Sequence, residues 1–484
     1  MELKRLHIFV HCVMLEEIQP TVLNVHRKYL VFLRLYQDGF CLFEGENSIQ
    51  NNLEQATSID IRNECLMRVL YVTGSCLTNN TSANLSHNGY IKGLIENGCQ
   101  VDIIMAETSW GDHDETIPRW EAANYFVYNN QNIKGRIRSK YHKVQQNSGN
   151  LDKEVECGSS DATGKMNNKS AMLTTAKKLF NNLLPDDPIY PLEKTWLKKA
   201  RKYKSKDRYD LVISNSSPAA SHKMVAELLG KKRIFTDRWI QIWEDPWTND
   251  IYQDFSQKIF DEEHNLLRLA DEIYYVSPLT LKYQKEYFPD CATKMKHIPL
   301  PYFSLENRKT ERVRDIDFGY FGDYFSKSRN LIPFYESVSK SNFSAQIYGD
   351  SDLDLEHSNR LKISGRVTLD QLSDAQERTK VLVHLCNLSG GQIPGKIYHY
   401  SSTDKPILFI LDGTEEEQKE IFDYFKQFNR YYFVQNNYEQ IADALDRMIA
   451  EYGKKVWNPV EAFDPVNIVK RLISGQKSTG TIEQ

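Results

Sequence analysis

The chain has 484 residues, 40% of them hydrophobic and 26% charged, which is longer than one core usually supports and too apolar for a disordered chain. A formal net charge of -4 excludes a global field that would draw in nucleic acid, and the absence of an apolar run of about eighteen residues excludes a spanning helix. Eight cysteines with no Cys-x-x-Cys pair read as reduced, mostly buried thiols, not as a disulfide framework or zinc site.

The N-terminal run at residues 7–15 is too short and too broken by histidine for a signal peptide, so the expected compartment is the cytoplasm. Residues 1–66 lack clear periodicity. They read either as an added N-terminal extension or as a mis-chosen start with Met67 the true beginning, the second being favoured. From there the pattern sharpens: an apolar strand at 67–73, a turn at Gly74-Ser75, a helix over 83–97 closed by Gly98, and a strand at 101–105 make one βαβ unit. Residues 129–170, rich in Asn, Lys, Ser and Gly, read as a flexible insertion, and 194–206 as a basic helical stretch. Strands are expected at 209–214, 233–236 and 272–276. Ser217 is positioned to cap a helix starting at Pro218, and another helix follows Ser277-Pro278.

After a break at Pro299-Leu-Pro301 and a charged linker, a second α/β series begins at 315–322. Strands at 344–348, 380–385, 406–411 and 431–434 alternate with helices at 330–340, 369–378, 396–401, 415–427 and 438–452. Alternating short apolar strands and amphipathic helices imply parallel sheets covered on both faces. The expected organisation is a first Rossmann-like domain over 67–304, a second over 305–460, and a C-terminal helix and tail over 461–484, with residues 466–473 packing back toward the first domain. Ligands in such sheets sit beyond the carboxyl ends of the strands, so two facing domains can share one ligand in the cleft between them.

Candidate chemistry lies at strand-to-helix junctions. Gly74 and Ser75 follow the first strand, where backbone amides can approach an acceptor or phosphate, though a plain tight turn reads equally well. Glu244 and Asp245, beside Pro246 and among tryptophans, form a partly desolvated carboxylate pair suited to base catalysis, with tryptophan faces for stacking on sugar. A helix-capping Asp with core tryptophans is the competing reading. Gly390 and Gly391 free amides beside a helix whose first turn carries Lys396, a place where an ammonium opposes the dipole unless an anion offsets it. Lys327 and Arg329 form a second cationic loop on the same sheet edge. The Asp-x-Asp triplets at 112–114, 315–317 and 352–354 are short enough to arise by chance. Metal-independence is expected, with Asp352 and Asp354 the first place to look otherwise.

Residues 315–412 resemble the donor-binding domain of GT-B fold glycosyltransferases of the broad family-four group. Phe318-Gly-Tyr-Phe-Gly322 with Lys327 and Arg329 is similar to that group's opening strand and phosphate-binding loop, Ile363-Ser-Gly-Arg-Val367 to its middle glycine segment, and Lys396-Ile-Tyr-His-Tyr-Ser-Ser-Thr-Asp-Lys-Pro-Ile-Leu408 to its most specific stretch. The resemblance implies two Rossmann-like domains facing across a cleft and a hexosyltransferase-type enzyme using a nucleotide-sugar, with no further cofactor. It also implies a glycan or lipid-linked acceptor, a part in surface polysaccharide synthesis, and peripheral contact with the inner face of a membrane. Donor contacts would come from Lys327, Arg329, Gly390, Gly391, Lys396 and His399. Two glutamates that the family often carries eight positions apart fall at Gly391 and His399, which puts its retaining mechanism in doubt. A nucleotide-sugar epimerase of similar build and a non-catalytic nucleotide-sugar-binding relative are the alternatives.

Overall fold

A computed structural model describes residues 10–11, 32–33, 67–107, 114–115, 117, 119–130, 189–248, 250, 256–303 and 313–475. The chain divides into two compact units, Met1–Cys65 and Leu66–Gln484. In the first, β1 (Val10–His11) and β2 (Phe32–Leu33) pair antiparallel. The expected insertion beyond residue 130, the linker at 304–312, Asp112 and the tail after 475 lie outside the described residues.

The second unit holds two parallel sheets. β3 (Arg68–Val72), β4 (Gln100–Glu107), β5 (Ala123–Asn129), β6 (Leu211–Asn215), β7 (Trp239–Trp243), β8 (Glu272–Tyr275) and β9 (Met295–His297) form a seven-stranded sheet in the order β5-β4-β3-β6-β7-β8-β9. β10 (Ile316–Phe321), β11 (Ala345–Tyr348), β12 (Leu361–Ser364), β13 (Thr379–Leu385), β14 (Ile407–Leu411) and β15 (Tyr431–Gln435) form a six-stranded sheet in the order β12-β11-β10-β13-β14-β15. Every pairing in both is parallel. This is the α/β architecture of two Rossmann-like sheets expected of a GT-B fold.

Burial follows the two-residue period of a strand. Leu70 and Val72 of β3 face one core, while Val69 and Tyr71 face another. That second core does not stop at the sheet's own helices. It continues through α8 (Lys396–Tyr400) and α9 (Glu415–Lys426) to Leu382, Ile407 and Phe409 of the other sheet. One apolar cluster therefore joins the sheets, and the far face of the second sheet packs separately around Phe318, Val381 and Leu408.

The helix after β3, α1 (Ser82–Glu96), begins where the Thr81 side chain accepts the Asn84 amide proton and ends at Asn97, followed by Gly98 at φ +77°. The remaining α-helices among the described residues are α2 (Lys194–Ala200), α3 (Ala220–Gly230), α4 (Gln257–Leu269), α5 (Pro278–Tyr287), α6 (Ile332–Ser339), α7 (Leu369–Arg378), α10 (Tyr438–Ala450) and α11 (Pro465–Ile473). α11 does return to the first sheet's side. Asn97 donates to the Val466 carbonyl at 3.0 Å, and a β-carbon at Gly93 would stand 2.2 Å from the Pro465 oxygen. Only glycine allows that approach.

Two local expectations are corrected. The strand read at 233–236 is instead β7, which begins six residues further on, because Trp239–Trp243 is buried throughout and residues 233–236 contribute only a single bridge between Tyr209 and Thr236. Ser217 is not the cap of α3: the N-cap is Ala219, without a side-chain bond.

Candidate functional site

In parallel sheets all strands deliver their following loops to one edge. Here the two edges meet at a cavity of about 180 Å³. The first sheet contributes Asn80–Ser82 at the start of α1, and the second contributes Gly322 and Asp323 after β10, Arg366 after β12, and Gly395 and Lys396 at α8. A β-carbon on Gly395 would lie 2.7 Å from Ser82 Oγ, so glycine lets the two helix starts close on each other.

The cavity is cationic. Arg329 is fixed by its Nε donating to Asn387 Oδ1 at 2.9 Å and its NH1 donating to the Asp323 carbonyl at 2.6 Å. Arg366 donates to Asp323 Oδ2 at 2.6 Å. The half-buried Lys396 has its pKa lowered to about 8, chiefly by burial and secondarily by Arg366, with Asp323 opposing. No hydrogen-bonded counter-ion meets its ammonium among the described residues. An ammonium desolvated beside a second cation is a strong receptor for an anion.

The residues expected at the site divide. Arg329 and Lys396 line the cavity together. Lys327 stands exposed on the same loop and does not line it. The Gly390 amide, expected to face phosphate, already donates to Glu417 Oε1 at 2.9 Å, which satisfies it internally. Gly391, at φ +72°, turns its carbonyl to the first sheet's side, where it accepts from Ser277 Oγ at 2.6 Å and Thr280 Oγ1 at 3.2 Å. His399 is not a cavity residue either: its Nδ1 accepts the Phe303 amide proton at 3.1 Å, and burial, with Lys396 adding to it, pushes its pKa down to about 3 and keeps it neutral. Gly74 is a packing position, its absent β-carbon making room for Pro218 at 2.8 Å and its amide bound to Ser221 Oγ. Ser75 turns its carbonyl to the Ala106 amide. The loop after β3 does reach the cavity, but through Asn80, Thr81 and Ser82.

Glu244 and Asp245 follow β7. Asp245 is half-buried and accepts from Gln392 Nε2 at 2.7 Å, a bond that links the first sheet to the loop before Lys396. Burial, with Asp250 adding to it, raises its pKa to about 6. It does not cap a helix. Glu244 lies deeper, its carboxyl pushed well above the usual range by burial and by Asp245. Around it Asn215 Nδ2 donates to Tyr71 Oη at 2.8 Å and to Glu244 Oε1 at 3.4 Å, while Tyr71 Oη and His87 Nδ1 are 2.7 Å apart. His87 is held neutral, its pKa lowered to about 4 by burial. The carboxylate of Glu263 anchors the loop by accepting the amide protons of Trp247 and Thr248. Of the tryptophans expected to stack on sugar, Trp239 and Trp243 are core, with their indole N–H groups bound to Ser214 and Gln241, and the partly buried Trp247 packs against Trp243 and Tyr190.

The sequence reading missed Asp323, Arg366 and the 80–82 turn as site residues. Arg366 was visible as the charged residue of the Ser364-Gly-Arg segment, but β12 is only four residues long, too short for its alternation to stand out, with Leu361 its one buried residue. Of the Asp-x-Asp carboxylates that are described, Asp352 bonds to Ser326, Asp315 to Arg378, Asp317 to Lys380 and Asp114 to the Leu369 amide, while Asp354 stands exposed. One group with metal-ligating atoms occurs among the described residues, His264, Asp290 and Cys291. There Arg268 already pairs with Asp290, and burial, with Asp290 adding to it, raises the Cys291 thiol.

No protein-family profile matches the chain, and no curated protein matches it in sequence. Solved structures are similar in three dimensions. The chain shares 12% identity with the N-terminal domain of trehalose-6-phosphate phosphatase from Candida albicans, covering 84% of this chain and 93% of that one at a TM-score of 0.46. A putative UDP-N-acetylglucosamine 2-epimerase from Listeria monocytogenes is 8% identical over 87% and 100% of the two chains, at 0.46. An alpha-glucosyltransferase in complex with UDP and a 13-mer DNA is 11% identical over 86% and 96%, also at 0.46. The likeness is one of architecture.

Proposed function

We propose that the cavity between the two sheets binds the diphosphate of a nucleotide-sugar and that the protein is a glycosyltransferase, of hexosyltransferase type, acting on a glycan or lipid-linked acceptor. The observation that carries this reading is the convergence of Arg329, Arg366 and Lys396 on one cavity at the carboxyl edge of a parallel sheet. Fixed cations there stabilise the charge that grows on the leaving nucleoside diphosphate as the glycosidic bond breaks. Asp245, held near a pKa of about 6 at the junction of the two sheets, is the group suited to take the acceptor hydroxyl proton. Synthesis of a surface polysaccharide at the inner face of a membrane fits such an acceptor, and no described helix is long and apolar enough to cross a membrane. The donor supplies the reactive group, so no further cofactor enters this scheme.

A thermal-shift series with UDP, GDP, ADP and CMP tests the reading, because a ligand bound only by the folded state raises its midpoint. A nucleoside diphosphate should raise it and the bare nucleoside should not. No shift with any of the four overturns the proposal. The buried network of Glu244, Asn215, Tyr71 and His87 favours a second reading, nucleotide-sugar epimerisation, since that chemistry needs acid and base groups away from solvent. Deuterium incorporation from heavy water into the sugar of an added nucleotide-sugar would select it, whereas slow release of nucleoside diphosphate without exchange would select transfer.

A further inference from the structure

Among the described residues, Asp323 is the one carboxylate lining a cavity otherwise charged by Arg329, Arg366 and Lys396. It is held at three points. Its Oδ2 accepts from Arg366 NH2 at 2.6 Å, its Oδ1 accepts the Asp350 amide proton at 2.9 Å, and its carbonyl accepts from Arg329 NH1 at 2.6 Å. Its charge also reaches Lys396, whose protonated form it favours. Asp350, the other carboxylate at this corner, stands 3.7 Å from Arg366 Nε and does not line the cavity. A group anchored on both carboxylate oxygens cannot swing away when an anion enters, so any ligand charge must be accommodated beside a fixed negative one.

We propose that Asp323 sets the charge of the anion this cavity retains, favouring the doubly charged diphosphate diester of a nucleotide-sugar over the triply charged nucleoside diphosphate left after transfer. The inference rests on the nucleotide-sugar reading above. Repulsion from a fixed carboxylate scales with the charge of the ligand. The charge gained on breaking the glycosidic bond appears on the terminal phosphate, so Asp323 weakens product more than donor. A unit charge about 6 Å away, screened by a solvent-rich dielectric of about 40 to 80, alters affinity by about three- to tenfold. The residue thereby tunes product release while Arg329, Arg366 and Lys396 hold the donor.

Calorimetric titration of wild type and Asp323→Asn tests this with three matched pairs, UDP with UDP-glucose, ADP with ADP-glucose and GDP with GDP-mannose, and with inorganic pyrophosphate. Asparagine keeps the shape and the acceptor oxygen while removing the charge. The variant should bind the nucleoside diphosphate about three- to tenfold more tightly relative to its sugar partner than wild type does. Asp323→Glu, which restores the charge, should return the ratio toward wild type. If donor and product change by one common factor, or neither changes, the inference fails while the nucleotide-sugar reading stands. Absence of binding by every pair and by pyrophosphate in both proteins overturns both.

Discussion

Lys396→Met offers the sharpest separation of function from stability. Methionine retains most of the aliphatic stem and removes the ammonium. Holding that ammonium at about 8 instead of its usual 10.5 costs up to about 3 kcal/mol at neutral pH, which solvent reaching the half-buried side chain reduces to about 1–2 kcal/mol. The unfolded chain keeps this proton up to 10.5, whereas the folded chain releases it near 8. The penalty is therefore present in full below pH 8 and disappears as pH rises from 8 toward 10.5. The variant should be more stable than wild type by about 1–2 kcal/mol at pH 7, and the gap should close by about pH 10.5. Lys405, also held at about 8 by burial, produces a parallel rise in both proteins, so the difference between the two urea-denaturation curves isolates Lys396. Binding should move the other way. Loss of a charge-assisted contact weakens nucleoside diphosphate by about 1.5–3 kcal/mol and leaves the bare nucleoside unaffected. Equal stability and equal diphosphate affinity in the two proteins would show that Lys396 is a solvated surface lysine, and the anion-site argument would lose its main support.

Asp245→Asn should lower turnover by about two to four orders of magnitude with little change in donor affinity, and wild-type turnover should fall on its acid side near pH 6, where this carboxyl is protonated. A pH–rate profile on each protein checks both, and a melting temperature that falls in step with activity would mark a structural role instead. Gly93→Ala should destabilise the protein by about 1–3 kcal/mol, because its β-carbon meets the Pro465 carbonyl and Val469. Chemical denaturation measures it, and an unchanged midpoint would mean that α11 docks loosely on α1.

Five of the second sheet's six strands were legible because they are short apolar runs, and its helices carry their own stop and start signals, such as the Thr368–Gln371 and Thr414–Glu417 capping boxes; β12 was missed. β7 was harder. Its five residues are all buried, so it shows no alternation, and its tryptophans suggested ligand stacking when they serve the core. At the site, charge was readable and partnership was not. Lys396 and Arg329 could be singled out as cations on one edge, but nothing local to Gly390 announces that Glu417, twenty-seven residues away, takes its amide proton. Nothing local to His399 announces Phe303. Asp323 follows the same logic, since its meaning comes from Arg366 and Asp350 on neighbouring loops.

The docking of α11 on α1 has a consequence for the order in which the molecule is made. Domains generally fold as units while the chain is being synthesised, N-terminal parts first. α1 is complete by Glu96, yet the helix that packs against its Gly93 face begins only at Pro465. The seven-stranded sheet can therefore assemble as soon as β9 emerges, while the Gly93 face waits for the whole six-stranded sheet to be translated. During that interval the face is open to other apolar surfaces, including those of neighbouring nascent chains. A ribosome stalled before residue 465 would hold this protein with the Gly93 face of α1 uncovered.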